Sequence, residues 1–191
     1  DWALSPYPTA ILRTLDNGAT WEDITPLNYT GGAPVLNTVN DDVIFMAAGT
    51  YLFKSLDGGV SWTNYGTPYY IESLDFIDDQ NGVIGLFDGT FAYMGGMFCT
   101  NDGGENWQGT MLNRQYSVVS DVQMINENFV IATPFAPIVV EDTYHHYYIS
   151  TDMGMTWDTV AYPELNEDTG LLGIEFKNPD EGFISIGDYE G

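Results

Sequence analysis

Basic residues are almost absent from this sequence. Its 191 residues include four Lys and Arg against 28 Asp and Glu, which gives a formal net charge of −24. A surface this acidic repels a phosphate backbone instead of releasing its counterions, so we expect neither nucleic acid nor an anionic membrane surface as a partner. The acids are scattered among aromatic and β-branched residues, which indicates a solvated surface and not an acidic tail.

Cysteine and long apolar runs are scarce as well. Cys99 is the one cysteine, so no internal disulfide can form, and no spacing of Cys and His matches a structural zinc site. We interpret Cys99 as a small buried hydrophobic residue. No apolar stretch reaches the ~18 residues of a membrane-spanning helix, so membrane insertion is not expected. The chain has no signal-peptide pattern and does not begin with Met, so we expect a processed or excised segment of a longer protein.

A short motif occurs four times. It reads Ser/Thr-x-Asp-x-Gly-x-Ser/Thr-Trp, with Asn106 replacing the second hydroxyl residue in the third copy, and its tryptophans are 41, 45 and 50 residues apart. That spacing matches a propeller blade of four strands, roughly 40–50 residues. In each motif the Asp can accept bonds from turn N–H groups, the Gly supplies a positive φ, and the Trp can pack on a neighbouring blade. We assign these structural roles to Asp16, Gly18, Trp21, Asp57, Gly59, Trp62, Asp102, Gly104, Trp107, Asp152, Gly154 and Trp157.

Apolar segments alternate with polar turns between these motifs. First strands of successive blades are predicted at 34–39, 71–76, 118–124 and 171–176, and second strands at 43–48, 83–87, 129–133 and 183–186. Third strands enter the motifs at 51–54, 97–99 and 147–149, and fourth strands leave them. Continuous apolar runs suit strands covered on both faces, and no segment repeats its apolar residues every 3.6 positions, so we expect almost no helix.

The blade boundaries follow from this strand order. We predict one propeller segment with a partial first blade at 1–33, full blades at 34–70, 71–117 and 118–170, and a partial fifth blade at 171–191. Residues 2–4 and 183–186 both occupy second-strand positions, and two second strands cannot share one blade. The predicted fold class is therefore all-β, a propeller of four-stranded antiparallel blades in which about four to five blades form part of a larger ring.

The motifs resemble the Asp-box, or bacterial neuraminidase repeat, of sialidases, sortilin-type receptors, xyloglucanase-type glycoside hydrolases and photosystem II assembly factor-like proteins. The order Phe76-x-Asp78-x-x-x-Gly82, followed by the third box, looks most like the photosystem II stability and assembly factor-like family. Phe176 and Gly182 repeat part of that order. The resemblance covers essentially the whole chain and implies a noncatalytic scaffold, in many relatives a secreted bacterial one. The basic patch of the photosynthetic members has no counterpart here.

Two classes of enzyme share the Asp-box. A sialidase needs a cluster of three arginines for its substrate carboxylate, whereas Arg13 and Arg114 are the only arginines present. A xyloglucanase-type hydrolase needs two carboxylates facing each other across a cleft. The acids of the repeated turns are more simply interpreted as caps of backbone N–H groups, namely Asp41, Asp42, Asp78, Asp79, Asp180 and Glu181. We assign no catalytic residue, and a fragment of an Asp-box glycoside hydrolase acting on polysaccharide stays the alternative.

An insertion at 134–146 breaks the repeat period. A longer loop on a rigid scaffold is a favourable place for a binding surface, so we name Glu141, Asp142, Tyr144, His145 and His146 as a candidate binding loop. Adjacent histidines on a strand point to opposite faces, so no metal site is assigned. We expect no cofactor, with structural calcium in an acidic turn as the alternative.

Taken together, these patterns favour a noncatalytic propeller scaffold that binds a protein or a glycan. Clustered tyrosines such as Tyr69 and Tyr70 can stack on sugar rings, which keeps the glycan partner open. An acidic surface poor in Lys keeps a protein soluble in salt water or outside the cell. We therefore expect a secreted, cell-surface or periplasmic location.

Overall fold

The strands form where the sequence places its short apolar runs, and turns form at the polar residues between them. The computed structural model describes residues 10–29, 33–90, 94–112, 118–135, 146–162 and 169–188. Within these ranges every regular element is a β-strand. The prediction of an all-β chain is confirmed, and none of the described residues builds an apolar helix of membrane-spanning length.

Three four-stranded antiparallel sheets are flanked by two smaller ones. The described part of blade 1 contains β1 (Leu12–Arg13) and β2 (Glu22–Asp23). Blade 2 is built from β3 (Val35–Thr38), β4 (Ile44–Ala48), β5 (Tyr51–Ser55) and β6 (Thr63–Gly66). Blade 3 is built from β7 (Tyr70–Phe76), β8 (Gly82–Phe87), β9 (Gly95–Thr100) and β10 (Gln108–Met111). Blade 4 contains β11 (Val118–Met124), β12 (Val130–Phe135), β13 (His146–Ser150) and β14 (Asp158–Ala161), and blade 5 contains β15 (Thr169–Asn178) and β16 (Glu181–Asp188).

Each full blade is a meander in which every strand pairs with its neighbours in the chain. The predicted strands in the described ranges agree with the observed ones to within two residues at each end. Successive blades meet through their first strands, since β3 contacts β7, β7 contacts β11, and β11 contacts β15. This arrangement makes β3, β7, β11 and β15 the inner strands of the assembly.

The apolar core lies between the blades. Buried side chains form three clusters, and each cluster draws residues from two successive blades. A sheet that is covered on both faces needs apolar residues in unbroken runs, which explains why β4 is buried at all five positions. One residue pair represents each cluster, Ile24 with Met46, Phe45 with Ile84, and Val83 with Val130.

The boundaries of the predicted insertion need a correction. The insertion predicted at 134–146 overlaps a strand at both ends, because Pro134 and Phe135 lie in β12 and His146 begins β13. Pro134 pairs with Val119 of β11, whereas the pairing of β12 with β13 ends at Ala132 and Tyr148. A proline has no N–H to donate, and this position has a partner strand on one side alone, so the residue fits there without breaking a second ladder.

Glycine and phenylalanine pair across the first turn of blades 3 and 5. Phe76 is opposite Gly82, and Phe176 is opposite Gly182. A Cβ on either glycine would run into the phenylalanine ring. The ring therefore covers the bare glycine backbone, which gives a physical reason for the Phe and Gly spacing in the sequence.

Cys99 is completely buried between blades 3 and 4. Burial, with a smaller effect of the Asp152 charge, raises the pKa of Cys99 to about 12. Because the thiolate is the reactive form, we expect 5,5′-dithiobis(2-nitrobenzoate) to label the folded protein extremely slowly at pH 8 and the urea-unfolded protein at the rate of a free thiol. Fast labelling of the folded protein would contradict the packing of these two blades.

Candidate functional site

The four boxes have the same hydrogen bonds. In each, Asp Oδ1 accepts the backbone N–H of the seventh box residue at 2.8–2.9 Å, and Oδ2 accepts from that residue's side chain at 2.6–2.7 Å. Asn106 supplies its Nδ2 where the other boxes use a hydroxyl. The first hydroxyl of each box accepts the glycine N–H at 2.8–3.0 Å. Bonds from the side chain and backbone of the seventh residue lower the pKa of all four aspartates.

The box glycines lack a side chain for two reasons, a positive φ angle in all four boxes and close packing against the preceding blade in three of them. All four have positive φ, from +75° to +96°. In three boxes a Cβ would also collide with the preceding blade, with Ile24 at Gly59, Leu52 at Gly104 and Cys99 at Gly154. Gly18 differs, because the nearest atom to its Cβ would be in its own box, 3.8 Å away on Trp21. The box turns of blades 2 to 4 therefore lie directly against the blade before them.

The tryptophans follow the same pattern. Trp62, Trp107 and Trp157 are partly buried and pack against the clusters between blades 1 and 2, 2 and 3, and 3 and 4. The Trp62 indole N–H donates to the Ile24 carbonyl at 2.8 Å, which ties blade 2 to blade 1 directly. Trp21 is 59% exposed, since no described residue covers that face of blade 1.

The residue just before each of the first three boxes contacts a turn of the next blade. Arg13 donates to the Gly58 carbonyl at 2.5 Å, and Lys54 donates to the Asp79 carbonyl, also at 2.5 Å. Lys54 is buried and lies over the Phe45 ring, 5.7 Å from its centroid. Cys99 occupies the same position in blade 3, against Gly154. Sequence reasoning missed the role of Arg13, Lys54 and Cys99. The signal that they share is their position directly before the first residue of a box.

A ladder of polar side chains joins the inner strands. In each step, a side-chain oxygen on one inner strand accepts a backbone N–H from the next inner strand. The pairs are Asn37 with Phe76 at 3.2 Å, Asp75 with Met124 at 2.8 Å, and Gln123 with Phe176 at 2.8 Å. The Asn37 amide also donates to the other Asp75 oxygen at 2.9 Å. The ladder was missed as well, and its signal is one polar residue directly after an apolar residue near the end of each first strand.

Three carboxylates on the inner strands have raised pKa values. Desolvation raises the pKa of Glu72, Asp75 and Asp121, and the charge of Asp75 raises that of Asp121 further. The Asp121 and Glu72 side chains remain accessible to solvent, so they lie in a concave part of the surface. Asp75 has both oxygens engaged in the ladder. No group of three or more His, Cys, Asp or Glu in the described ranges is arranged to hold a metal ion.

The pKa values of these three carboxylates are raised, whereas those of the four box aspartates are lowered. Together these shifts predict a maximum in the stability of the fold at mildly acidic pH. Groups with raised pKa values favour folding more as they become protonated, so acidification from pH 7 towards their ordinary values of 3.8 and 4.5 should raise the melting temperature. Below pH 3.8 the box aspartates, whose pKa values are lowered, become protonated and lose their stabilising charge, so the melting temperature should fall again.

The test of this prediction is Asp121→Asn, measured by thermal unfolding between pH 3 and pH 8. We expect a higher melting temperature at pH 7 than in the parent chain and a smaller rise on acidification, because the desolvated charge of Asp121 and its repulsion from Asp75 are gone. Asp41→Asn removes the same charge from an exposed turn and controls for net charge. Identical pH profiles for the two variants would show that Asp121 has no special environment.

Between blades 1 and 2 lies an open groove with a volume of about 450 Å³. Residues 23–28 form one wall, the second box and the start of β6 form the other, and Phe53 lies at the bottom. Its lining mixes apolar and polar side chains, including Asp23, Leu27, Val60, Trp62 and Asn64. Sequence reasoning did not find this groove, because its walls come from separate blades.

The candidate binding loop falls almost entirely outside the described residues. Glu141, Asp142, Tyr144 and His145 belong to 136–145, which the structure does not describe. His146 starts β13, and its Nε2 lies 3.1 Å from the Tyr148 hydroxyl. The candidacy of this loop stays a prediction.

Repeated four-stranded sheets, stacked side by side and locked by equivalent boxes, define a β-propeller built from Asp-box blades. The family model for the BNR/Asp-box repeat matches residues 148–159, which contain the fourth box. A search of curated proteins found no match.

Solved propeller structures resemble the chain. YCF48 from Cyanidioschyzon merolae is 17% identical with a TM-score of 0.60, over 94% of this chain and 61% of that protein. An ancestral GH74 enzyme is 19% identical with a TM-score of 0.63, over 86% of this chain and 23% of the enzyme. The chain thus spans less than two thirds of either protein, and identities this low show a common fold. YCF48 bound to D1 peptide also matches, at 18% identity, but its TM-score of 0.42 is too low for comparison of fold or function.

Proposed function

We propose that this chain is a noncatalytic propeller scaffold that binds a basic protein partner. The observation behind this proposal is that the cationic side chains in the described ranges are occupied internally. Arg13 bonds Glu22 and Gly58, Lys54 bonds Asp79, and Lys177 bonds Glu181. Among the described residues every Lys and Arg has such a partner, so an approaching molecule meets carboxylates, and a basic surface is the complement.

Exposed apolar side chains at the box turns add contact area for a protein. Leu15, Leu56, Val60 and Met155 occupy variable box positions and are all more than half exposed. Apolar side chains that project beside charged ones are typical of surfaces that dock other proteins. A glycan partner is the second choice and would use exposed aromatic residues such as Tyr70.

The box carboxylates differ from the acid pair of a glycosidase, which supports a noncatalytic scaffold. A glycosidase needs one carboxylic acid whose raised pKa keeps it protonated, and a second carboxylate opposite it. The box aspartates have lowered pKa values and both oxygens bonded within the turn. Asp121 beside Asp75 is the pair that favours the alternative, a fragment of a polysaccharide hydrolase, since both have raised pKa values. Asp75, however, is engaged in joining blades 2, 3 and 4.

Two assays separate the scaffold from the hydrolase. The chain is incubated with xyloglucan and with a fluorogenic sialoside, and product release is followed for a day. We expect none above a buffer blank, together with salt-sensitive binding of a synthetic Lys- and Leu-containing peptide in isothermal titration. Release of sugar that disappears in Asp121→Asn would overturn the proposal in favour of the hydrolase.

We also propose an extracellular or periplasmic location. It is supported by the high acidic charge, since surface carboxylates keep a protein soluble outside the cell. Fractionation of cells producing the parent protein should place it in the medium, on the surface or in the periplasm. Recovery from the cytoplasmic fraction alone would contradict this.

A further inference from the structure

We infer that the groove between blades 1 and 2 receives an extended, basic segment of the partner protein, with an apolar side chain of the segment against Trp62 and a Lys or Arg beside Asp23. This inference rests on the proposed function and names the place where the partner docks. The groove has a volume of about 450 Å³, which falls in the range of ligand pockets, ~300–1,000 Å³.

The apolar part of the groove is rigid at its base and open at its edges. Phe53 is buried at the bottom, and Trp62 is fixed by its bond to Ile24, so its ring offers an apolar wall with no donor left to satisfy. Leu27 is fully exposed and Val60 is 77% exposed. Covering these two aliphatic side chains removes them from water, which an incoming leucine or phenylalanine side chain can do.

The polar part of the groove carries one charge among the residues that the structure describes. Asp23 is the one ionisable residue among the described residues of the lining. Both bonds from Thr25, its N–H at 2.9 Å and its hydroxyl at 2.5 Å, go to Asp23 Oδ1. Within the described part of the chain Oδ2 accepts no bond, so it is available to an ammonium or guanidinium group. None of the described lining residues carries a positive charge that would compete for it.

An extended conformation suits the strand that borders the groove. Asn64 lies on β6, the outer strand of blade 2, which pairs with β5 on one side and with no described strand on the other. An extended segment can bond the free backbone groups of such an edge. The amides of Asn28 and Asn64 can each donate to and accept from a peptide backbone as well.

The probe is a fluorescein-labelled nine-residue peptide of alternating Lys and Leu. Its binding to the chain is measured by fluorescence anisotropy at 50 mM and 300 mM salt. A peptide of alternating Lys and Ser carries the same charge without apolar side chains. We expect the Lys/Leu peptide to bind roughly tenfold more tightly than the Lys/Ser peptide, because only its leucines can fill the apolar part.

Uncharged substitutions then locate the binding place. Leu27→Ser and Val60→Thr keep the net charge and should each weaken Lys/Leu binding about five- to tenfold. Leu36→Ser and Phe183→Ser are the controls, since they remove exposed apolar side chains of β3 and β16, away from the groove, and we expect changes below about twofold. Asp23→Asn should weaken binding about threefold and reduce its salt dependence. All five side chains are exposed, and unchanged melting temperatures would verify folding.

Each alternative outcome has a distinct meaning. If the peptide binds but the groove and control variants behave alike, the groove is not the docking place and the proposed function survives. If the parent chain binds neither peptide at 50 mM salt, the inference and the proposed basic partner both fail. If a neutral xyloglucan heptasaccharide displaces the peptide from the parent chain and not from Leu27→Ser, the groove is a glycan site and the inference is overturned.

Discussion

Gly59→Ala is expected to lower the free energy of unfolding by about 2–5 kcal/mol. The residue has φ of +92°, where an L-amino acid costs about 1–2 kcal/mol. The added methyl would also lie 2.7 Å from Ile24 Cδ1 and 2.9 Å from Ile24 Cβ, in the preceding blade. Overpacking of this kind costs about 1–3 kcal/mol more, because the Cβ end of Ile24 cannot swing aside.

Gly18→Ala is the matched control for this effect. Its φ of +88° is almost the same, but the nearest atom to its new methyl is 3.8 Å away within its own box. We expect a loss of about 1–2 kcal/mol, from the backbone alone. Urea unfolding at pH 7 measures both variants. Equal losses would show that the second box does not press against blade 1.

Asp75→Ala is expected to destabilise the chain by about 1–3 kcal/mol. The carboxylate joins three blades, since it accepts the Asn37 amide from blade 2 and the Met124 N–H from blade 4. Removing it leaves two partly buried donors without acceptors, and each unsatisfied donor costs about 1–3 kcal/mol of stability. Removing the desolvated charge of Asp75 stabilises the fold and offsets part of that loss. Unfolding in urea at pH 7 gives the net value.

Asp121→Ala separates the ladder from general charge effects. Asp121 has a similarly raised pKa, yet among the described residues its carboxylate accepts no bond from another blade. We expect no loss, or a gain, in the same measurement. If Asp75→Ala and Asp121→Ala shifted stability in the same direction by the same amount, the ladder would have no role in holding the blades together.

The propeller fold could be predicted because the box is a local structure. Its bonds connect residues no more than four positions apart, so the motif forms the same turn wherever it occurs. The unbroken apolar runs then indicated strands covered on both faces, and their bounds agree with the observed ones to within two residues. Asn106 shows that an amide can replace the hydroxyl without loss of the bond to Asp102.

The contacts between blades could not be predicted in the same way. The ladder partners Asp75 and Met124 are 49 residues apart, and the Trp62 bond to Ile24 spans 38 residues. Such pairs become neighbours only after the spacing and rotation of the blades are fixed, which no local pattern encodes. The groove has the same origin, because its two walls belong to different sheets. For this reason sequence reasoning favoured the insertion predicted at 134–146 as a binding place.

A crystal structure of this chain would test most directly whether each box closes on the blade before it. We expect the Trp62 indole nitrogen to lie within hydrogen-bonding distance of the Ile24 carbonyl oxygen, as in the present structure, where they are 2.8 Å apart. We also expect Gly104 to pack against Leu52, and Gly154 against Cys99. Boxes at unrelated positions, or two sheets stacked face to face with the tryptophans packed inside their own sheets, would contradict this arrangement.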